Sequence, residues 1–251
     1  MTNPFDHFDI IFCVNLDSRP ERWGESLEEF EKVGIANKVR RFSGHKYNID
    51  HWMRGRMGCF SSFRECVKIA NDEGAENVLV FEDDVRFVND TNEVLSKSIE
   101  DLKKREWDMF HLGTNPQGKG SLERRTDNLL RLKSGLCLHA AAYNKRFFEE
   151  VLVTVPEGAK ILEWLLSEHN RTGHGSMDGW VMTHVCPNRE VYCTNPMIAT
   201  QRPSFSDIDN KMSNFGEDLL KAFSELAEEL EKEMIVADDA GVDLKTGKLT
   251  V

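Results

Sequence analysis

The segment covering residues 78–85 constrains the fold most, because four apolar residues in it run directly into three carboxylates. An apolar run of this length is typical of a strand buried on both faces, as found inside a parallel sheet. Ligands of open α/β sheets bind at the carboxyl ends of the strands, so Glu82, Asp83 and Asp84 are predicted at that edge. Their oxygens suit Mg²⁺ or Mn²⁺, with substrate phosphates completing the coordination shell. A solvated acidic turn after a strand is the alternative interpretation.

The bulk composition limits the partners and the compartment. The chain has 251 residues and a net charge of −11, which argues against nucleic acid or an anionic membrane surface as the main partner. Its six cysteines include no CxxC pair, which favours reduced thiols in a cytoplasmic protein. The sequence shows no signal-peptide pattern at Met1 and no apolar run of about 18 residues, so we expect a soluble protein without a transmembrane segment.

Predicted strands and helices alternate along the chain, which is typical of one α/β domain. Strands are predicted at residues 9–14, 39–42, 77–81, 107–113, 135–143 and 191–192. Helices are predicted at residues 19–33, 59–71, 91–102, 145–152, 159–168 and 177–185, with a loop at 43–58. We place this domain at residues 1–215 and a C-terminal helix and tail at residues 216–251.

The link between the first strand and the first helix is a candidate anion site. Ser18 followed by Glu21 matches a capping box, and Pro20 suits the first turn of a helix. Backbone N–H groups and Arg19 at such a helix N-terminus favour an anion or a nucleotide. A plain capped helix is the alternative.

The C-terminal segment is predicted to be an amphipathic helix. Residues 216–236 carry apolar side chains at helical spacing and a strongly acidic outer face. We expect this helix to pack on the domain. The alternative is that it binds a partner, including a second copy of the chain in a homodimer.

Four stretches, taken in order, resemble glycosyltransferase family 25, which includes lipopolysaccharide-type and procollagen galactosyltransferases. They are residues 14–22 (VNLDSRPER), Gly58-Cys59 with Ser62, residues 79–85 (LVFEDDV) and residues 200–208 (TQRPSFSDI). The resemblance spans residues 9–208. It departs from the family at Phe63, where members usually carry a histidine, and over residues 46–56, which we cannot match to the family.

The resemblance implies a GT-A fold, that is, one Rossmann-like α/β domain with a mainly parallel central sheet flanked by helices. It also implies an inverting transferase that moves a hexose, such as galactose or glucose, from a nucleotide-diphosphate sugar, with a UDP-sugar favoured. The implied acceptor is a hydroxyl group of a glycan or glycoprotein. A Mn²⁺ or Mg²⁺ cofactor would neutralise the charge on the leaving diphosphate.

The roles implied by the resemblance fall on particular residues of this chain. Asp84 is expected to bind the metal directly and Asp83 to be the second ligand, with Glu82 facing the ribose or the sugar. Asp178 is the expected catalytic base for the acceptor hydroxyl, and an acid that only favours the helix dipole is the alternative. The residues expected to bind the nucleotide sugar are Val14, Asn15, Leu16, Arg19, Phe81, Glu82, Gln201 and Arg202.

Several residues and functions stay open at this point. His111, His139 and His184 are candidates for a further metal ligand, although a packed or surface histidine is the commoner case, and Asp207 is a candidate structural cap. A catalytically silent nucleotide-sugar-binding module is one alternative function, and Phe63 is its support. A nucleotidyltransferase is the other, but it requires a Gly-rich phosphate-binding run that the sequence lacks near either strand end.

Overall fold

An eight-stranded sheet forms the centre of the computed structural model, which describes residues 2–88, 90–206, 211–213, 216–239, 242–243 and 248–249. The strands are β1 Ile10–Asn15, β2 Val39–Ser43, β3 Asn77–Glu82, β4 Val85–Phe87, β5 Met109–His111, β6 Asn115–Pro116, β7 Leu122–Arg124, β8 Leu129–Leu132, β9 Gly135–Leu136, β10 Ala140–Asn144, β11 Val191–Thr194, β12 Ala199–Gln201, β13 Ser204–Ser206, β14 Lys211–Ser213, β15 Val242–Asp243 and β16 Lys248–Leu249. The α-helices are α1 Pro20–Lys32, α2 Arg54–Asp72, α3 Thr91–Leu102, α4 Lys145–Thr154, α5 Lys160–Thr172, α6 Met177–Trp180 and α7 Gly216–Asp239. A 3₁₀ turn covers Pro4–His7, and a π-helical turn, Val181–Val185, continues α6.

The sheet is mixed, and its strands lie in the order β2, β1, β3, β10, β5, β11, β8, β7. β1 pairs in parallel with β2 and β3, and β5 pairs in parallel with β11, whereas the other four pairs are antiparallel. The predicted α/β class is confirmed. Because β1 and β3 are parallel neighbours, their carboxyl ends lie side by side, with Val14 opposite Glu82. The acidic stretch therefore lies at the predicted edge.

Each face of the sheet is buried under its own helices, because successive side chains of a strand point to opposite faces. On one face, Phe12 and Val80 belong to a core that includes Phe60 and Phe63 of α2. The other face is covered by α1 and α3. The buried side chains there include Phe30 of α1, Leu95 and Ile99 of α3, and Ile11, Leu79 and Phe81 of the strands. Each such aliphatic or aromatic side chain contributes about 1.5–3 kcal/mol when it leaves water.

Two local predictions about helix starts are wrong. α2 begins at Arg54, so the last part of the predicted loop at 43–58 is helical. The predicted capping box at the start of α1 does not form, because Arg19 is the N-cap and makes no side-chain capping bond. Glu21 instead accepts a hydrogen bond from Arg19 Nε at 2.6 Å.

The C-terminal helix packs on the sheet domain, as expected. Leu219 and Phe223 of α7 are buried in the same core as α2. At the start of α7, Thr200 Oγ1 donates a hydrogen bond to the Gly216 carbonyl at 2.9 Å, which joins the helix to β12. No helix within the described ranges is long and apolar enough to cross a membrane. All six cysteines are free thiols.

Candidate active site

A cavity of about 500 Å³ opens where β1 and β3 end. Residues from distant stretches of the chain meet in it, among them the end of β1, the start of α2, the acidic turn after β3, the start of α6 and the end of β12. The predicted site residues that line it are Val14, Leu16, Glu82, Asp83, Asp84, Asp178, Gln201 and Arg202. The structure thus brings the expected metal ligand and the expected base to one cavity.

Asp83 is held by an internal ion pair. Its carboxylate contacts Arg22 Nη2, and Asn15 Nδ2 donates a second hydrogen bond to it at 2.7 Å. The Ser26 hydroxyl also donates to the backbone carbonyl of Asp83 at 2.9 Å. Burial raises the pKa of the Asp83 carboxyl, and the Arg22 charge and the Asn15 hydrogen bond oppose that rise. Because both carboxylate oxygens are already engaged, Asp83 fits a structural ion pair better than a direct metal ligand.

Asp84 is better placed to bind a ligand. The residue is 9% exposed and lines the cavity. Gln201 Nε2 contacts its carboxylate at 3.3 Å, and Arg22 Nη2 lies 3.4 Å from the same oxygen, Oδ2. Both contacts are long and leave the carboxylate accessible from the cavity, so Asp84 can accept a cation there.

Arg202 holds the acidic turn through the backbone. Its guanidinium donates to the carbonyl of Asp83 at 2.5 Å and to the carbonyl of Val85 at 3.0 Å. Its own backbone N–H donates to the Asp84 carbonyl at 2.7 Å. A carboxylate oxygen of Glu25 on α1 lies 3.2 Å from the same guanidinium. The turn between β3 and β4 is thereby tied to the segment that carries Gln201.

Asp178 lies in the first turn of α6, which Ser176 caps by accepting a hydrogen bond from Gly179 N. The Gly179 N–H also donates to Asp178 Oδ1 at 2.9 Å, and the Cys137 N–H donates to Oδ2 at 3.3 Å. Cys137 has a φ of 72°, in the left-handed region that non-glycine residues seldom adopt. Two backbone donors therefore orient the Asp178 carboxylate in the cavity.

Glu82 shares the cavity with Asp84 and Asp178. Burial raises the pKa of the Glu82 carboxyl well above its usual value, and the negative charges of Asp84 and Asp178 raise it further. Burial also raises the pKa of the Cys59 and Cys137 thiols, with the same carboxylates adding to it. Repulsion among these carboxylates is relieved by a proton on Glu82 or by a bound cation.

Protein side chains alone do not build a complete metal shell. Among the residues that the structure describes, no three His, Cys, Asp or Glu side chains converge on a common metal position. Mg²⁺ and Mn²⁺ are often held by one or two carboxylates together with substrate phosphates and water. The cavity, with Asp84 accessible and Glu82 beside it, fits a cation of that kind.

Three residues expected to bind the donor do not line the cavity, and strand geometry is the reason for two of them. Val14 and Glu82 point to the cavity face, so their neighbours Asn15 and Phe81 point to the other face. Phe81 is 0% exposed and packs against Phe30, so its side chain does not reach the cavity, and its role in donor binding stays a prediction. Asn15 binds Asp83 and the Arg19 carbonyl instead. Arg19 is paired with Glu21 at the start of α1.

The histidines proposed as further ligands do not line the cavity. His111 and His139 are buried within the sheet, and His184 lies beside Thr183 and Glu168. They are packed or surface histidines, which was the commoner case. Asp207 lies outside the described residues.

Sequence reasoning did not single out Arg22, although it named Arg202 and treated the predicted loop at 43–58, which carries Arg54 and Arg56, as a candidate for donor contact or a mobile lid. Arg22 lies on the buried side of α1 one and two turns before Ser26 and Phe30, and an arginine at such a position requires an anionic partner. Lys46, Arg54 and Arg56 also line the cavity, in the stretch that could not be matched to the family. The sequence feature that distinguishes Lys46, Arg54 and Arg56 is that they form a cluster of positive charge in an acidic chain.

Comparisons with known proteins agree on one family. A sequence model described as "Glycosyltransferase family 25 (LPS biosynthesis protein)" matches residues 8–133. The chain is 27% identical over 148 residues to "Inactive glycosyltransferase 25 family member 3" of Homo sapiens, which covers 46% of this chain and 24% of that protein. It is also 27% identical over 148 residues to "Procollagen galactosyltransferase 2" of Mus musculus, covering 50% of this chain and 24% of that protein.

Solved structures are similar only at a low level. One is a glycosyltransferase involved in glycosylation of the major capsid of PBCV-1, with 12% identity, a TM-score of 0.44 and coverage of 88% of this chain and 98% of that chain. Another is the mannose-1-phosphate geranyltransferase of Thermus thermophilus, with 14% identity, a TM-score of 0.42 and coverage of 74% and 72%. At scores this low we infer nothing further from them.

Proposed function

This chain belongs to glycosyltransferase family 25, and from that premise we propose that it is a metal-dependent inverting glycosyltransferase. It would move a hexose from a nucleotide-diphosphate sugar to a hydroxyl group of a glycan or glycoprotein. The observation that carries the proposal is the convergence of Asp84, Glu82 and Asp178 on one cavity at the sheet edge. A galactose donor carried by UDP is favoured, because a relative is named as a galactosyltransferase.

The donor side of the cavity is formed by Val14, Leu16 and the acidic turn. Mn²⁺ or Mg²⁺, when bound at Asp84, would neutralise charge on the leaving diphosphate. Gln201 and Arg22 orient the Asp84 carboxylate, and Asp83 holds Arg22 in place. Glu82 lies beside Asp84 in the cavity, where its carboxyl group can form a hydrogen bond with a hydroxyl group of the ribose or the sugar.

Asp178 acts as the base on the acceptor side. The acceptor oxygen forms a bond to the anomeric carbon from the face opposite the diphosphate, and the bond between that carbon and the phosphate oxygen breaks. The hydroxyl proton passes to the Asp178 carboxylate. The N–H groups of Gly179 and Cys137 hold that carboxylate in one orientation, so it is positioned before the acceptor arrives.

Isothermal titration of UDP in the presence and absence of Mn²⁺ tests the donor side. We expect Mn²⁺-dependent binding that Asp84→Ala weakens at least about tenfold, because one charged metal ligand is lost. The matched control is Asp72→Ala, which removes an exposed carboxylate at the end of α2. Equal binding of UDP with and without Mn²⁺ would contradict a metal-held diphosphate.

A catalytically silent nucleotide-sugar-binding module is the second candidate. It is favoured by relatives named as inactive members of the family and by Phe63, which is 1% exposed in the core and has no polar group to offer. Hydrolysis of nucleotide sugars by the wild type decides between the two candidates. We expect Asp178→Asn to abolish that hydrolysis with unchanged affinity for UDP and Mn²⁺, whereas a silent module shows no hydrolysis in either protein.

The compartment is a further proposal. Six free thiols suit a reducing compartment such as the cytoplasm.

A further inference from the structure

We propose that the acceptor is an acidic sugar, and that Lys46 and Arg54 at the mouth of the cavity bind its carboxylate or phosphate while Trp52 packs against its ring. This inference rests on the proposed function, since it names the substrate class for the acceptor side of the same cavity. It comes from the segment 46–56, which the donor side does not use.

Lys46 and Arg54 are exposed, and both line the cavity. Neither side chain has an ion-pair or hydrogen-bond partner among the residues that the structure describes. The other cations here are engaged within the protein: Arg22 with Asp83, and Arg202 with Glu25. In a chain with 43 acidic and 32 basic side chains, two such cations at a cavity mouth mark a place where an anion binds.

The start of α2 adds to this positive charge. Arg54 is the first residue of α2, Arg56 is in its first turn, and that turn contains no acidic residue. Cations at a helix N-terminus are unfavourable, because the helix dipole is positive there. An anionic ligand between Lys46 and Arg54 removes that repulsion.

Arg56 connects the start of α2, where Arg54 lies, to the acceptor side. Its Nη1 donates to the Gly175 carbonyl at 3.3 Å, and Gly175 lies three residues before Asp178. The acceptor hydroxyl must reach Asp178, so the rest of the acceptor passes the start of α2 on its way to solvent. The diphosphate, in contrast, belongs beside Asp84. That residue is only 9% exposed, whereas Lys46 and Arg54 are exposed to solvent.

Trp52 does not itself line the cavity, but it lies beside Arg54 and Arg56, which do, and there it can provide a surface for the sugar ring. The residue is 53% exposed, although it is held from several sides. Arg56 lies over its ring at 5.3 Å, and the rings of His51 and His169 lie 5.9 and 5.3 Å from it. An ordered, exposed indole of this kind can cover the apolar C–H face of a pyranose.

The test measures sugar binding, which does not require turnover. Methyl β-glucuronide, glucose 6-phosphate and methyl β-glucoside are titrated into the wild type, with and without UDP and Mg²⁺, and chemical shifts are followed by NMR. We expect the two anionic sugars to bind about tenfold more tightly than the neutral one, and the difference to shrink with added salt. The glucuronide and the phosphate separate a carboxylate-bearing acceptor from a phosphorylated one.

Variants separate the two parts of the proposal. Lys46→Ala/Arg54→Ala should abolish the preference for anionic sugars and leave UDP affinity unchanged. Lys103→Ala/Lys160→Ala removes the same charge from exposed sites that do not line the cavity, and it should keep the preference. Trp52→Ala should weaken glucuronide and glucoside by the same factor.

Equal affinities of the wild type for all three sugars would overturn the proposal. So would weaker UDP binding in Lys46→Ala/Arg54→Ala with the sugar preference intact, because the cations would then serve the donor. Tighter binding of a polyglutamate peptide than of either sugar would replace the acidic sugar with an acidic peptide. Loss of the donor-side result, by contrast, would affect the proposed function and leave the sugar titrations readable.

Discussion

At the scale of single residues, the Arg22–Asp83 ion pair is the contact on which the site geometry depends. Both side chains are nearly buried, at 10% and 11% side-chain exposure. Charges at such depth are tolerated because each has its partner, and Asn15 donates a further hydrogen bond to Asp83. The pair joins α1 to the acidic turn and so helps to place Asp84.

Arg22→Ala should lower the free energy of unfolding by about 3 kcal/mol, because the Asp83 carboxylate is left buried without its cation. Urea denaturation measures the change. Arg40→Ala is the matched control, since its ion pair with Glu73 is half exposed and is expected to contribute less than about 1 kcal/mol. A loss for Arg22→Ala no larger than for Arg40→Ala would show that the turn is held without this pair.

His111 gives the fold a dependence on pH. Burial, and to a smaller extent the charge of His139, lowers the pKa of His111 from 6.5 to about 3. The unfolded chain therefore binds a proton that the folded chain does not, so stability falls as pH drops from about 6.5 towards 3. At about pH 5 the loss is about 2 kcal/mol. His111→Leu should flatten the dependence of Tm on pH over this range, and parallel curves for the two proteins would contradict the assignment.

At the scale of elements, the alternation of side chains along β1 and β3 explains what the sequence could predict. The hydrophobic run predicts the strand β3, and the acids that follow it predict a polar edge of the sheet. Both lie where they were expected. The same period of two separates Glu82 from Phe81 and Val14 from Asn15, so sequence reasoning could have placed the Phe81 and Asn15 side chains on the face away from the cavity. The pairing of Asp83 with Arg22 was not, because it depends on how α1 packs against the turn. Asp178 reaches the cavity through a tertiary contact with Cys137, which no local pattern reveals.

The contact between the end of β5 and β12 positions Gln201. Leu112 O accepts hydrogen bonds from the N–H groups of Ile198 and Ala199, both at 3.0 Å, and a Cβ added at Gly113 would overlap the Ala199 carbonyl oxygen. Gly113→Ala should therefore cost about 2–3 kcal/mol of stability and weaken UDP binding, because β12 must move. The matched control is Gly24→Ala on α1, where the added Cβ meets nothing within 4 Å. It should stabilise the protein by about 0.5–1 kcal/mol.

Unchanged stability and UDP affinity in Gly113→Ala would mean that β12 accommodates the methyl group without moving Gln201. Thermal unfolding and isothermal titration on the same preparations make this comparison.

At the scale of the whole molecule, α7 is part of the core. The side chains of Leu219 and Phe223 are 3% and 1% exposed, and Leu220, Leu226 and Leu230 pack beside them. The apolar side of the helix is thus used within the chain. A homodimer through α7 stays a prediction, and it would have to form through the acidic outer side.

Phe223→Ala should lower the free energy of unfolding by about 3 kcal/mol or more, because it leaves a cavity between α7 and the sheet. Glu225→Ala, which changes an exposed side chain of the same helix, should stay within about 0.5 kcal/mol of the wild type. Urea denaturation measures both. Similar values for the two variants would show that α7 is not a stabilising part of the domain. Sedimentation velocity of the wild type would then test directly whether α7 forms a dimer.

The hydrogen bonds from Arg202 to the acidic turn have a consequence for how the donor binds. One guanidinium and one backbone N–H already hold three successive carbonyl groups, those of residues 83–85. This part of the site is preorganised, so the entropy lost when the donor binds comes from the nucleotide and the ion rather than from ordering the turn. Donor association should then be rapid and should occur in a single kinetic phase.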